Sequence, residues 1–105
     1  MIEWNSVAPV SEFPPGTCRR LLVNGVSIAV FNVGGDFYAI EDLCSHEAEP
    51  LYNGKIDGIE ITCPRHEARF SLRTGEALSP PAYEPIAIFP VRIENGLVQV
   101  LDNRF

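Results

Sequence analysis

A chain of 105 residues, 46% hydrophobic and 21% charged, has the size of one globular domain and is too apolar to be disordered. Its net charge of −6 argues against nucleic acid, which calls for a basic stripe, and permits steering toward a basic protein partner. The opening MIEWNSVAPV has neither a basic n-region nor an apolar h-region, and no apolar run approaches membrane-spanning length, so a cytoplasmic protein with no membrane partner is expected.

Along the chain, Trp4 reads as a core or edge anchor, and the proline-broken SEFPPGT must be a loop. Cys18 follows in PPGTCRR, at a turn entering a strand, and reads as a packed thiol. Three strands come next. Asn24-Gly25 separates RRLLV from VSIAVFNV, and Gly34-Gly35 separates that run from DFYAIE. Further on, Asp57-Gly58 divides GKI from IEIT, and Asn95-Gly96 divides FPVRIE from LVQVL. Such dipeptides supply the positive φ that two-residue hairpin turns need. The flanking Val, Ile, Phe and Tyr suit a pleated sheet. Arg69 and Arg73 alternate with Phe70 and Leu72 as on a strand with a solvated face, and SPPAYEP is again a loop. No segment carries a capped helical period. The chain therefore reads as a single all-β domain, 1–105, with a distinct stretch of about 41–81 inserted between strand-rich parts of about 1–40 and 82–105.

That inserted stretch holds both histidines and two of the three cysteines. In a reducing compartment these cysteines suggest ligands, nucleophiles or small core residues rather than a disulfide framework. The pattern is Cys44-x-His46, sixteen residues, then Cys63-x-x-His66. One buried Cys or His is ordinarily a packed core residue. Four in paired boxes, using every histidine of the chain, point to metal ligands. Two thiolates and two imidazoles suit zinc or an iron–sulfur centre. Structural zinc sites pair like ligands along the chain. Here each box pairs one Cys with one His, which can serve two metals at once, the cysteines meeting at one iron and the histidines at the other. That is the ligation of a Rieske [2Fe–2S] centre. A structural zinc module is the competing reading; visible absorption and acid-labile sulfide separate the two.

On these residues the chain resembles Rieske proteins, and by size the Rieske-type ferredoxins of bacterial aromatic ring-hydroxylating dioxygenase systems. CSH, G-x-I-x-G from Gly54, CPRH, F-x-L-R-T-G from Phe70, and PPAYEPI occur in the family's order. The resemblance implies a fold of three small antiparallel sheets, in which a cluster-binding subdomain is inserted in a basal β part. It implies one [2Fe–2S] cluster on Cys44, His46, Cys63 and His66, with a proline-containing loop near Ser79 to Tyr83 covering it. It also implies a one-electron carrier, not an enzyme, between an NAD(P)H-dependent flavoprotein reductase and a terminal Rieske oxygenase. The alternative is a small Rieske-like subunit of an assimilatory nitrite reductase. A complete terminal oxygenase would require two more histidines and a carboxylate for a mononuclear iron, and both histidines here are already committed.

Departures from the family pattern carry information. Relatives usually have glycine after each ligand histidine, whereas this chain has Glu47 and Glu67, and a non-Gly residue tolerates positive φ poorly, so local differences in the two loops are expected. High-potential respiratory members carry an inter-loop disulfide and Ser and Tyr hydroxyls that donate to the cluster and ligand sulfurs. Glu49 and Arg65 stand at the disulfide positions here, Ala68 at the serine and Phe70 at the tyrosine. A potential on the order of −150 mV is therefore expected, and Glu49 and Arg65 form a candidate ionic clasp between the loops.

Overall fold

A computed structural model describes residues 3–44, 50–64, 67–80, 82 and 84–104. Asn24 and Asn95 both lie at positive φ, 50° and 52°, each followed by a glycine also at positive φ. Both Asn-Gly turns thus form the tight hairpins expected of them. The first joins β2 (Cys18–Val23) to β3 (Val26–Val33), and the second joins β9 (Val91–Glu94) to β10 (Leu97–Leu101). Gly34 and Gly35, at φ 62° and 99°, turn β3 into β4 (Asp36–Glu41).

The remaining strands are β1 (Trp4–Pro9), β5 (Lys55–Asp57), β6 (Glu60–Thr62), β7 (Arg69–Ser71) and β8 (Ile88–Phe89). Among the described residues a single 3-10 turn, Val10–Glu12, is the one departure from strand and loop. The strands form three antiparallel sheets, ordered β1-β10-β9, β2-β3-β4-β8 and β5-β6-β7. The expected all-β architecture of three small sheets is what the chain adopts.

The four-stranded sheet is the middle layer. Along β3, Ile28 and Val30 join one buried cluster with Phe13, Val23, Ala39, Phe89, Val98 and Val100. Ala29 and Phe31 join the other, with Ile40, Cys44, Leu51, Ile61, Cys63, Phe70 and Leu72. Successive strand side chains point to opposite faces, so a strand covered on both sides reads as the near-continuous apolar run VSIAVFNV.

Four local features differ from the sequence reading. The turn after β5 is centred on Gly58-Ile59, because Asp57 pairs with Glu60. The run FPVRIE divides at Pro90, which has no N–H to give a ladder; Phe89 pairs with Ala39 in the middle sheet while Val91 pairs with Val100 in the terminal one. The strand begun at Arg69 ends at Ser71, and Leu72 to Thr74 form a turn. Finally, β1 gains its ladder from β10 at the far end of the chain, with a register shift between Ser6 and Ala8. Trp4 lies on this edge strand, with the Arg92 guanidinium 4.4 Å from its ring centroid.

Candidate metal centre

The segment that carries the first Cys–His box starts where β4 ends. The N–H of Glu41 donates to Ala87 O, and that of Asp42 to Ser27 O, fixing the exit point on the middle sheet. The Asp42 carboxylate then reaches across the loop's base. Its Oδ1 accepts the backbone N–H groups of Leu51 and Tyr52, each at 2.8 Å. Asp42 is thereby joined to Leu51 and Tyr52, described residues on either side of the stretch that carries Cys44 and His46 in sequence. Cys44 is wholly buried.

The return path is equally constrained. The Gly54 N–H donates to Leu51 O at 2.9 Å, and a Cβ on Gly54 would collide with the carbonyl of Thr62. This close approach lets β5 lie against β6, whose end presents Cys63, and explains the first glycine of G-x-I-x-G.

The second loop spans the β6–β7 hairpin above the Thr62–Arg69 pair. The N–H of Cys63 donates to Ala68 O at 2.7 Å, and the N–H of Glu67 to Cys63 O at 3.0 Å. Glu67 sits at φ 59°, in the left-handed region. The family's glycine position thus keeps a glycine-like conformation with a glutamate in it, at a cost of about 1 kcal/mol. The backbone difference expected at Glu67 is therefore not found, since the glutamate accepts positive φ; Glu47 lies outside the described residues.

A third segment is tied to the same hairpin. Ser79 Oγ accepts the Arg69 N–H at 3.1 Å, and the Leu78 N–H donates to Arg69 O at 2.7 Å. The motif F-x-L-R-T-G forms a turn around Ser71, whose hydroxyl accepts the N–H groups of Arg73 and Thr74. Gly75, at φ 80°, lies so close to Ile86 O that no side chain fits there, and its carbonyl accepts the Ile86 N–H at 2.8 Å. Ala82, from the proline-containing loop, packs in the cluster that holds Cys44 and Cys63.

The structure brings the two candidate thiols, Cys44 and Cys63, into one buried cluster, each at the root of its loop. His46, His66, Glu47, Glu49 and Arg65 lie outside the described residues, as do Pro81 and Tyr83. A pair of dry thiols at the roots of two loops suits the thiolate half of an iron–sulfur ligand set. Ala68 and Phe70, where high-potential relatives carry hydroxyls, are both wholly buried, so no hydroxyl is offered from either position.

Cys18 lies outside the buried pair but packs, partly buried, against the same core cluster. It is half-buried at the wall of an open cavity of about 240 Å³ lined also by Phe31, Asn32, Tyr52, Gly54 and Ile56. Burial, and after it the Asp42 carboxylate, push its thiol from the ordinary 9.0 up to about 11, against the lowering pull of Arg20 and Arg19. Arg69 is exposed and pairs with the exposed Glu60 at 3.4 Å, a contact worth little in water.

Sequence reasoning missed Asp42, Arg20 and Tyr52. Arg20 Nε donates to Asp42 Oδ2 at 2.8 Å, and its guanidinium lies 3.8 Å from the Tyr52 ring centroid. The partners are 22 residues apart along the chain, and no local motif marks them.

Residues 3–90 match the family described as Rieske [2Fe-2S] domain. A protein of Ralstonia sp named as the ferredoxin component of naphthalene 1,2-dioxygenase/salicylate 5-hydroxylase systems is 40% identical over 97 residues, 92% of this chain and 93% of that protein. The 3-phenylpropionate/cinnamic acid dioxygenase ferredoxin subunit of Escherichia coli (strain K12) is 45% identical over 89 residues, 84% of this chain and 83% of its own. A chain in a solved complex of reduced oxygenase and oxidized ferredoxin in carbazole 1,9a-dioxygenase superposes with a TM-score of 0.87 at 39% identity, covering 93% of this chain and 92% of that one. A structure named as the small subunit of a putative NADPH nitrite reductase has a TM-score of 0.77 at 21% identity over 94% of this chain and 98% of that one, a likeness of fold alone. With the family model matched over residues 3–90, a closely superposing fold and relatives aligned over most of their length, the chain belongs to the Rieske [2Fe-2S] domain family.

Proposed function

We propose that this chain is the ferredoxin of an aromatic ring-hydroxylating dioxygenase system, a one-electron carrier between a flavoprotein reductase that draws on NAD(P)H and a terminal Rieske oxygenase. Cys44 and Cys63 would hold one iron of the cluster, and His46 and His66 the other. When bound, the cluster supplies a one-electron couple whose potential is raised by its two neutral imidazole ligands relative to four thiolates. The protein's own part is to bury the thiol pair, close both loops at their necks and cover the pair with the loop that carries Ala82. The cluster-binding part would comprise residues of about 41–81, and the cytoplasm is the compartment where the reductase partner would meet it.

The observation that carries this reading is the burial of Cys44 and Cys63 in one cluster, each beside a histidine in sequence, in a chain whose aligned relatives are named as dioxygenase ferredoxins. The alternative of a nitrite-reductase subunit has only the fold likeness behind it. The test is iron and sulfide analysis with EPR of the dithionite-reduced protein, followed by transfer from a reductase to an aromatic-ring oxygenase. Two irons, two sulfides and a Rieske-type signal are expected. Colourless, iron-free protein prepared under anaerobic conditions overturns the reading, and zinc in its place establishes the competing module.

A further inference from the structure

Asp42 stands two residues before Cys44, its side chain wholly buried, while its partner Arg20 is 45% exposed on β2 of the middle sheet. Every described contact of this carboxylate serves the neck of the first ligand loop or the sheet below it. Oδ1 takes the N–H groups of Leu51 and Tyr52, and Oδ2 takes Arg20 Nε. Arg20 in turn lies against the Tyr52 ring, so the guanidinium is held by one residue on each side of the neck. A planar guanidinium both donates along its edge and stacks on its face, which an ammonium does not do.

The charge arithmetic gives the arrangement a second consequence. A carboxylate out of water beside a redox centre disfavours the added electron, and a guanidinium 2.8 Å from it cancels most of that field at a distance. We propose that Asp42 and Arg20 are the positioning pair of the first ligand loop: Asp42 closes the loop's neck, and Arg20 both fixes Asp42 in place and neutralises it toward the cluster. This rests on the ferredoxin reading above. A purely structural clasp would loosen in the same sense whichever partner were removed. A charge-balanced clasp moves the potential in opposite senses for the two removals.

The test uses the cluster-loaded protein. Asp42→Asn, Arg20→Gln, the double variant and Arg20→Lys are compared by EPR-monitored redox titration and by hydrogen-exchange mass spectrometry of the segment containing Leu51 and Tyr52. Asp42→Asn raises the midpoint potential, Arg20→Gln lowers it, and the double variant returns toward the parent. Arg20→Lys keeps the potential near the parent. Exchange at Leu51 and Tyr52 quickens by about tenfold or more in Asp42→Asn, the factor expected for losing a charged acceptor. Shifts of the same sign in the two single variants, or no shift in Arg20→Gln, overturn the proposal, as does unchanged exchange in Asp42→Asn. If Asp42→Asn does not load a cluster, Arg20→Gln decides alone, a lowered potential supporting the pair and an unchanged one sinking it. Absence of the Rieske signal in the parent protein would instead be the failure of the functional reading, which keeps the two outcomes distinguishable.

Discussion

The backbone N–H of Cys63 and the carbonyl of Ala68 meet at 2.7 Å between β6 and β7, and both residues are wholly sealed from solvent. Whatever side chain residue 68 carries is therefore held beside the thiol-bearing residue by a short backbone bond. Here it is a methyl group, with no proton to offer a sulfur.

From this follows a low potential, on the order of −150 mV, and a way to raise it. Ala68→Ser adds a hydroxyl donor beside the thiolate side. A net hydrogen bond of about 1 kcal/mol favouring the reduced, more negative state corresponds to roughly 40 mV for one electron. Phe70→Tyr should move the potential in the same direction. Redox titration followed by circular dichroism or EPR reads both, and a parent midpoint above zero contradicts the account.

Glu67 holds positive φ without being glycine. Glu67→Gly should relieve about 1 kcal/mol, or roughly 4 °C in the unfolding midpoint of the cluster-loaded protein. Glu67→Ala removes the same carboxylate but keeps the left-handed strain, and should bring no gain. Differential scanning calorimetry distinguishes the two; an equal rise in both would assign the effect to charge instead.

Close approach and conformational freedom separate at two glycines. Gly54→Ala pushes a methyl group into the Thr62 carbonyl, backbone that cannot turn aside, and should cost about 1–3 kcal/mol and lower cluster occupancy. Gly16 has open space around its would-be Cβ but lies at φ 85°, so Gly16→Ala should cost only about 1 kcal/mol and leave the iron content intact. Iron analysis and thermal melts of the two variants check the contrast.

The pH dependence concerns Cys18. Its thiol is held protonated up to about 11, chiefly by burial and then by Asp42, with Arg20 and Arg19 pulling the other way. In the unfolded chain the same thiol loses its proton near 9.0. The folded state therefore binds more protons between these values, so this stabilising contribution is present below about 9 and is lost as pH rises through about 11. Cys18→Ala should flatten that alkaline limb. In the loaded protein, alkylation of Cys18 at pH 8 should run up to about a hundredfold slower than for a free thiol and quicken toward pH 11, as the thiolate is the nucleophile. Rapid labelling at neutral pH would show a lower thiol pKa.

The strands most legible in the sequence were those with a strong local signature. VSIAVFNV and DFYAIE match β3 and β4 residue for residue because both are apolar runs bounded by turn dipeptides. β1 was not legible: WNSVAP has no strict alternation, and its ladder comes from β10, more than 80 positions away, which no local window contains. Phe13 was assigned to a proline-broken loop, yet it is 1% exposed, edge-on to Phe37 at 5.1 Å. The position of a loop residue in a core is fixed by what folds over it. At the site, the Cys–His boxes were readable because the chain has only two histidines, each close behind a cysteine. Of the four box residues, the structure describes Cys44 and Cys63, and both belong to one buried cluster. The Arg20–Asp42–Tyr52 contact was unreadable, since an ordinary arginine on β2 and an ordinary aspartate just after β4 acquire a role only when β2, β3 and β4 pair and the segment with Tyr52 folds back on them.

Because β3 is walled in by side chains on both sides, it is a partition shared by two interiors rather than a floor for one. Ile28 and Val30 cannot shift to suit the terminal sheet without carrying Ala29 and Phe31, and with them the packing around Cys44 and Cys63. The third sheet and the core around the two thiols share this wall with the terminal sheet. Packing around the two thiols is thereby coupled, through one strand, to residues such as Val98 and Val100 of the terminal sheet.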